Sequence, residues 1–306
     1  MTVEDWLLEG DPAIRWQAMR DLLDKPADIV ATERARVATE GWGAGLLAEQ
    51  HPDGHWGDDL DNPEWITHWA LVRLRDFGLD PAGDEAGRAV ARVHENLTWH
   101  CWGKRFFEGE TEPCVNGRVL AVGAYFGQDT TAVLELLLHD QMADGGWNCE
   151  QENGATVGSF HSTINVLEGL LEQERLRGGD ARVAEARERG EAYLLERRML
   201  RRRSSGELID PRFAQLSYPL GYRYDVLRGL DYLRAAGIEP DERSAEAIDV
   251  VASKRGPDGR WLLEEPEPDP RRHEMPQLEF DMGEVAGRPS RWNTLRALRV
   301  LRWAGR

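Results

Sequence analysis

The sequence predicts an all-α protein built from five or six helical hairpins. Strand signals are scarce, because few stretches alternate apolar and polar residues with β-branched side chains. Apolar residues recur at three- and four-residue spacing along most of the 306 residues. A turn containing Asp-Gly and Trp also repeats along the chain, which indicates an internally repeated architecture.

The repeated turn and a repeated helix set the period. The turn runs over residues 50–56, 141–147 and 254–261, and each copy ends on a Trp. The helix, which is amphipathic and ends near a Gly or Ala, has five copies, at residues 65–78, 114–127, 160–173, 222–237 and 290–305. Aligned on Leu71, Leu120, Leu167, Leu227 and Leu295, successive copies lie 49, 47, 60 and 68 residues apart. Two helices with their loops need roughly 40–50 residues, so one period corresponds to one hairpin.

The outer helix of each hairpin is predicted by the same kind of spacing. Apolar positions with a charged opposite face fall in residues 31–50, 84–98, 129–142, 181–201 and 241–254. Residues 3–24 add a further helix or two, for which Asp11-Pro12 forms a suitable N-cap and first helical position. Hairpins of this kind stack either as an open solenoid or as a closed ring.

Composition and charge argue against several classes of protein. The formal net charge is −17, from 38 basic and 55 acidic residues, which disfavours a nucleic-acid-coating surface and a polybasic membrane anchor. No apolar run approaches the roughly 18 residues of a transmembrane helix, and the N-terminus lacks the features of a signal peptide. Three cysteines do not suggest a disulfide framework. We therefore expect a cytoplasmic protein without integral membrane association.

The turn Gln141-Met-Ala-Asp-Gly-Gly-Trp147 resembles the QW motif of squalene and oxidosqualene cyclases, which belong to the terpenoid-cyclase and protein-prenyltransferase superfamily. The resemblance extends over about residues 40–305 and is weakest at 254–261, where the Gln is absent. It implies a single (α/α) toroid, with an inner ring of helices inside an outer ring. We expect one such domain over residues 1–306, with N-terminal helices in 1–30, repeat hairpins in 31–306 and a lid loop at 262–289.

The catalytic motifs of the family are missing, so the resemblance supports the fold more than the chemistry. No Asp-x-Asp-Asp acid of class II cyclases exists here, and the nearest string, Asp58-Asp59-Leu60-Asp61, has the wrong order and is typical of a solvated loop. The Asp-Asp-x-x-Asp motif of class I synthases is absent. The Asp-x-Cys zinc motif of prenyltransferase β subunits is absent at all three cysteines.

Cys114 and His161 form the candidate catalytic and metal-binding site, because each lies six residues before the aligned leucine of its helix. Equivalent positions in adjacent hairpins face the same rim of a toroid. Cys149 lies in the loop before His161 and Asp225 at the start of the next inner helix, so both are candidates for the same rim. Cys114, Cys149 and His161 have the ligand types of a zinc site; alternatively, a cysteine is a nucleophile with His161 as its base. The structural alternative is that the cysteines pack as small apolar residues and His161 packs at a helix start.

Aromatic and polar residues near the inner-helix starts are candidates for a substrate cavity. They are Trp65, His68, Trp69, Phe160, Tyr222, Tyr224, Arg291, Trp292 and Asn293. In terpene cyclases such rings line the cavity and stabilise carbocations through their faces. Packing between hairpins is the alternative. In the expected lid loop, His273, Asp281 and Glu284 are candidate ligand contacts.

A basic run at residues 197–203 suggests either a phosphate clamp or a helix end whose cations complement the helix dipole. Together these features favour an enzyme that acts on a small, largely apolar, isoprenoid-like substrate in the central cavity, with zinc as a candidate cofactor. A non-catalytic toroid that binds an isoprenoid or a protein partner is the second hypothesis. A carbohydrate-active (α/α) barrel is the third, although it requires paired carboxylates across the cavity.

Overall fold

The computed structural model describes residues 1–57, 62–100, 103–178, 180–265 and 278–306. Extended pairing in these ranges is limited to isolated bridges, such as Thr98 with Arg105, so the predicted all-α class is confirmed. The described residues form thirteen α-helices: α1 (Val3–Leu8), α2 (Pro12–Asp21), α3 (Ala27–Ala35), α4 (Gly41–Ala48), α5 (Pro63–Phe77), α6 (Asp84–Asn96), α7 (Pro113–Tyr125), α8 (Thr131–His139), α9 (Phe160–Arg177), α10 (Ala181–Glu196), α11 (Val226–Ala236), α12 (Ala245–Ser253) and α13 (Arg291–Trp303). None of these helices is both long and apolar enough to cross a membrane.

Six of the helices form a closed inner ring. Helix α2 contacts α5, the ring continues through α7, α9, α11 and α13, and α13 contacts α2 again. Helices α1, α4, α8, α10 and α12 pack against ring helices as their hairpin partners, and α6 packs against the 3-10 helix Phe106–Glu108 that leads into α7. The arrangement is therefore a ring of six hairpins and not an open solenoid, at the upper end of the predicted number.

The repeated turn joins the outer and inner helices in the same way in all three copies. Each Trp is fully buried. Its indole donates to a carbonyl of the preceding outer helix at 2.6–2.7 Å, and its amide donates to a Thr hydroxyl of the following inner helix at 3.0–3.2 Å. The Gln141 amide adds bonds to the carbonyls of Gly145 and Ala186, at 2.8 and 2.7 Å. The three Trp side chains that anchor these turns are Trp56, Trp147 and Trp261.

Some boundaries differ from the prediction for local reasons. The helix expected over 31–50 is broken at Gly41, whose φ is +63°, and the Asp11 carboxylate accepts a 2.7 Å bond from the amide of Trp42. The inner helix expected at 222 begins at Val226, because Asp225 caps it. The acidic string at 58–61 and His273 lie outside the described residues.

The segment before α11 enters the ring. The Gly221 carbonyl accepts from Arg118 of α7 at 2.5 Å, and the Tyr222 carbonyl accepts from Asn165 of α9 at 3.1 Å. The Leu216 carbonyl accepts from Asn293 of α13 at 2.8 Å. Because three different ring helices hold it, the loop 216–222 crosses the interior of the toroid.

Candidate functional site

The N-terminal rim, formed by the starts of α5, α7, α9, α11 and α13, brings two cysteines together. Cys114 lies in the first turn of α7, which begins at Pro113. Cys149 lies just after the second repeated turn. Their sulfurs are 2.9 Å apart, and the Glu112 Oε2 atom lies 3.5 Å from the Cys114 sulfur. The Ser162 hydroxyl, in the first turn of α9, lies 3.3 Å from the Cys149 sulfur.

Ligand atoms of Glu112, Cys114 and Cys149 all lie within 4.8 Å of one another. The hydrogen bond with Cys149, burial and the Glu112 carboxylate together raise the pKa of Cys114 well above its ordinary value. Each of these influences disfavours a Cys114 thiolate beside the Glu112 carboxylate. A bound cation would favour the thiolate. Two sulfurs and one carboxylate form a donor set that suits zinc. The three residues therefore fit a metal ion.

His161 and Asp225, which the sequence assigned to the same site, lie outside this group. The His161 Nδ1 atom accepts a 2.9 Å bond from the amide of Tyr224, and its ring meets Phe213 edge-on. Asp225 is 2% exposed and accepts from the amides of Arg228 and Ser217, at 2.7 and 3.4 Å. Burial raises its pKa. Both side chains thus hold the segment before α11. An equivalent position in two helices does not fix the direction in which a side chain points, so the shared register did not bring them to the cysteines.

Tyr222 lies close enough to the rim for Cys114 and Cys149 to act on it electrostatically, and it belongs to a cluster of aromatic rings. The His68 Nδ1 atom shares a 3.2 Å hydrogen bond with the Tyr222 hydroxyl, and the Tyr222 ring centroid lies 4.6 Å from that of Trp69. Burial and the charge of Arg118 lower the pKa of His68 to about 3, so its imidazole is neutral at physiological pH. Trp65 meets Trp99 edge-on at 5.4 Å. These residues form an aromatic wall, and Tyr222 is the member on which the candidate metal ligands act electrostatically.

Of the other predicted cavity residues, Trp292 borders the central cavity and four do not. Phe160 and Tyr224 pack against each other at 4.8 Å in the core, and neither borders the central cavity. Arg291 reaches outward, where its guanidinium lies 4.6 Å from the Trp6 ring, and Asn293 holds the loop 216–222. Trp292 does border the central cavity.

Two further predictions concern loops and surface charge. In the described part of the expected lid, Glu284 accepts bonds from the Ser290 hydroxyl and the Arg291 amide, at 2.6 and 2.8 Å, so it closes the start of α13. Asp281 accepts from the amide of Gly283 at 2.7 Å. In the basic run, three arginines pair with carboxylates: Arg197 with Asp144, Arg201 with Glu246 and Arg203 with Glu196. These pairs match the helix-end interpretation of the run better than a phosphate clamp.

The central cavity has a volume of about 280 Å³ and a charged lining, whereas the sequence led us to expect a largely apolar substrate there. It extends from Trp292 and Arg228, in the first turns of α13 and α11, to Arg20 and Arg175 near the ends of α2 and α9. Its lining includes four aromatic rings (Tyr125, Tyr218, Tyr232 and Trp292), four carboxylates (Asp76, Glu168, Glu172 and Asp231) and eight arginines (Arg20, Arg75, Arg118, Arg175, Arg228, Arg234, Arg296 and Arg299). Leu220 borders this cavity and also a smaller one of about 110 Å³ that Trp69 lines. The loop 216–222 therefore stands between the charged cavity and the rim.

The charged lining was missed because its members are dispersed along the sequence. They do share a register. Relative to the aligned leucines, Glu168, Arg228 and Arg296 lie one position later. Arg75, Asp231 and Arg299 lie four positions later, and four other lining residues lie five positions later: Asp76, Tyr125, Glu172 and Tyr232. Charges at one, four and five positions share one helix face, which was the available signal.

Comparisons with known proteins give structural matches only. The chain matches no protein-family model and no curated protein sequence. It is similar in structure to the type II terpene cyclase MstE from Scytonema in its apo form, with a TM-score of 0.47 and 17% identity over 95% of this chain and 87% of that chain. A variant of MstE in complex with the substrate geranylgeranyl dihydroxybenzoate gives a TM-score of 0.45 and 15% identity, over 96% and 86%. The likeness concerns the path of the chain alone.

Proposed function

We propose that the chain is a metal-assisted enzyme, similar to terpenoid cyclases and prenyltransferases, that acts on a small, largely apolar substrate at the N-terminal rim. One observation carries the proposal: ligand atoms of Glu112, Cys114 and Cys149 lie within 4.8 Å of one another. Cys114 acts electrostatically on Tyr222, whose ring belongs to the aromatic wall. The resemblance of the 141–147 turn to the QW motif favours an isoprenoid-like substrate.

The metal ligands would be the sulfurs of Cys114 and Cys149 and a carboxylate oxygen of Glu112. Zinc bound there would act as a Lewis acid and lower the pKa of a coordinated thiol or water. The Glu112 carboxylate, whose Oε2 atom lies 3.5 Å from the Cys114 sulfur, favours a cation at this place. His68 is uncharged, because burial and Arg118 lower its pKa to about 3, so it does not repel a cation.

The aromatic wall suits an apolar substrate. Burial, and then the neighbouring Cys114, raise the pKa of Tyr222 well above its ordinary value. Its hydroxyl therefore keeps its proton and its hydrogen bond to His68, which holds the ring in place. The Arg118 guanidinium lies 5.4 Å from the Trp69 ring centroid and 6.0 Å from that of Tyr222. These rings therefore offer an apolar substrate packing surface, and Arg118 already occupies their cation-binding faces. The charged lining of the central cavity disfavours an apolar group there, which is why we assign that group to the rim.

The test is the metal content of tag-free protein, measured by inductively coupled plasma mass spectrometry after zinc loading and dialysis. We expect about one zinc per chain, because three protein ligands are the usual set of a catalytic zinc site. The Cys114→Ala/Cys149→Ala double variant should lose the metal. His161→Gln should keep it, as should Cys101→Ala, which changes the one cysteine outside the described residues.

Activity is tested by incubating wild type and the double variant with prenyl alcohols and prenyl diphosphates, with and without zinc. Products are analysed by gas chromatography and mass spectrometry. We expect zinc-dependent products from the wild type only. A folded wild type that binds no zinc, or a double variant that retains it, would contradict the metal assignment. Retention of an unreacted prenyl compound would instead support a non-catalytic toroid.

A further inference from the structure

The central cavity contains more positive than negative charge. Its eight arginines face four carboxylates, which leaves a formal charge of +4. One carboxylate just outside the lining, Asp21, lies 3.3 Å from Arg299 and 2.6 Å from Arg20 and lowers the surplus to +3. This surplus lies inside a protein whose net charge is −17. We propose that the central cavity binds a small organic phosphate or diphosphate, at a site separate from the rim cysteines.

Three of the four carboxylates of the lining are already engaged. Glu168 accepts two bonds from Arg228, at 2.6 and 2.7 Å. Asp231 pairs with Arg234 at 2.9 Å, and Asp76 pairs with Arg75 at 3.1 Å. Asp231 also lies 3.8 Å from Arg296, and Asp21 pairs with Arg299 and Arg20. Among the described residues, the lining arginines without a carboxylate at ion-pair distance are therefore Arg118 and Arg175.

Arg118 is the cation most in need of a counterion. It is 5% exposed and donates to the Asn165 side chain and the Gly221 carbonyl, both at 2.5 Å. Within the described ranges, no carboxylate lies at ion-pair distance from it. Burial and the neighbouring Arg228 lower its pKa to about 10, so it remains charged at neutral pH. Glu168 and Asp76 attract it only from beyond that distance, and a buried cation without an anion in contact is strongly unfavourable.

Several buried donors on the wall also lack an acceptor. They are Nη1 of Arg296, Nε of Arg299 and Nε1 of Trp292, for which the described residues provide no hydrogen-bond partner. The three side chains are 5%, 7% and 3% exposed, and all three line the cavity. Buried donors are almost always satisfied in folded proteins, and a charged donor is the most costly to leave unpaired. An oxyanion would supply the acceptors that these atoms lack.

The dimensions and walls favour an organic phosphate over the bare ion. A volume of about 280 Å³ corresponds to roughly nine water molecules at ~30 Å³ each, which exceeds what a single phosphate group needs. Tyr125, Tyr218, Tyr232 and Trp292 add ring surface for an organic part. Guanidinium groups bind phosphate oxygens in a bidentate manner, which a lysine-lined site could not do.

The entrance lies at the end of the toroid opposite the rim. Arg20 near the end of α2 and Arg175 near the end of α9 both border the cavity and are both exposed. Because Leu220 and its loop stand on the other side, a ligand would enter past these two arginines. The overall negative charge of the surface would keep weakly held anions away, so binding requires the local surplus.

The first experiment is isothermal titration calorimetry on the full chain with phenyl phosphate, inorganic pyrophosphate, inorganic phosphate and succinate, at equal ionic strength. We expect phenyl phosphate and pyrophosphate to bind at least tenfold more tightly than phosphate or succinate. The Arg296→Gln/Arg299→Gln variant should bind at least tenfold more weakly. Arg302→Gln is the matched control on the same helix, because Arg302 is exposed and paired with Asp24, and it should stay within twofold of wild type.

Absence of binding by all phosphate compounds, succinate binding as tight as theirs, or equal weakening by Arg302→Gln would overturn the proposal. If the double variant does not fold, phenylglyoxal labelling of wild type gives the answer. Pyrophosphate should then protect Arg20 and Arg175 but not Arg302 and Arg306, and equal labelling with and without pyrophosphate would also overturn it. The same titration on Cys114→Ala/Cys149→Ala should match wild type, so failure of the metal assignment would leave this result untouched.

Discussion

Glu168 is the carboxylate on which buried positive charge converges. It forms a two-point ion pair with Arg228, whose side chain is 1% exposed, and the charges of Arg118 and Arg75 also act on it. Burial alone would raise its pKa, but the combined attraction of Arg228, Arg118 and Arg75 outweighs burial, and the pKa falls from its ordinary 4.5 to about 2. The carboxylate therefore remains charged wherever the protein is folded near neutral pH.

Replacing this carboxylate tests its importance for stability. Glu168→Gln should lower the free energy of unfolding by about 3–5 kcal/mol at pH 7, because it leaves Arg228 buried without its anion. Urea denaturation followed by circular dichroism measures the change. Glu135→Gln is the control, since Glu135 pairs with Arg182 at the surface and its loss should leave stability unchanged within error. Equal effects of the two substitutions would contradict the assignment.

The same residue predicts a dependence of stability on pH. Because its pKa is lower in the folded than in the unfolded chain, Glu168 contributes stability above about pH 4.5, and this is lost as the pH falls toward 2. The contribution corresponds to about 3 kcal/mol. The free energy of unfolding, measured from denaturation curves at several pH values, should therefore decrease less steeply with falling pH for Glu168→Gln than for wild type. The same pH dependence of the free energy of unfolding in both proteins would show that folding does not lower the pKa of Glu168.

Among the helices, α7 and α9 approach each other closely at Gly117 and Gly169, where any side chain would clash with the neighbouring backbone. A Cβ atom on Gly117 would lie 2.4 Å from the carbonyl oxygen of Asn165, and one on Gly169 would lie 2.3 Å from the carbonyl oxygen of Gly117. These neighbours are backbone atoms, which cannot rotate away. The close approach brings the start of α7, with Cys114, next to the loop that precedes α9, with Cys149.

Gly117→Ala should therefore destabilise the protein by about 3 kcal/mol or more, because the two helices must move apart. It should also weaken metal binding, since the separation of the two cysteines would change. Gly87→Ala is the matched control: Gly87 lies in α6 with open space around it, and alanine there should stabilise by about 0.5–1 kcal/mol. Denaturation curves and metal content of both variants test this. A Gly117→Ala variant with the stability and metal content of wild type would mean that α7 and α9 pack less closely than described.

At the scale of the whole molecule, the repeat was predictable and the lining of its interior was not. Hairpins follow from the 3.6-residue periodicity and from the turn in which Trp147 and its counterparts recur. The break at Gly41 was not predicted, because it depends on Asp11, which is distant in sequence. The pairing of Cys114 with Cys149 was predicted, whereas the contribution of Glu112 was not, since its spacing from Cys114 forms no familiar motif.

The charged cavity shows the limit of reasoning from one helix at a time. An arginine such as Arg228 or Arg296 on an amphipathic helix is ordinarily assigned to the solvent face. In a closed ring, the face opposite the outer helix points inward, so the same residue becomes buried. The helix pattern alone does not distinguish these cases. Ring closure does, and it depends on contacts such as that between α13 and α2.

X-ray absorption at the zinc edge of the zinc-loaded protein tests the metal site at the N-terminal rim. We expect two sulfur neighbours at about 2.3 Å and oxygen or nitrogen neighbours at about 2.0–2.2 Å. The Cys149→Ala variant should lose one sulfur, and His161→Gln should leave the spectrum unchanged. A first shell without sulfur, a spectrum that changes with His161→Gln, or no zinc in the folded protein would contradict it.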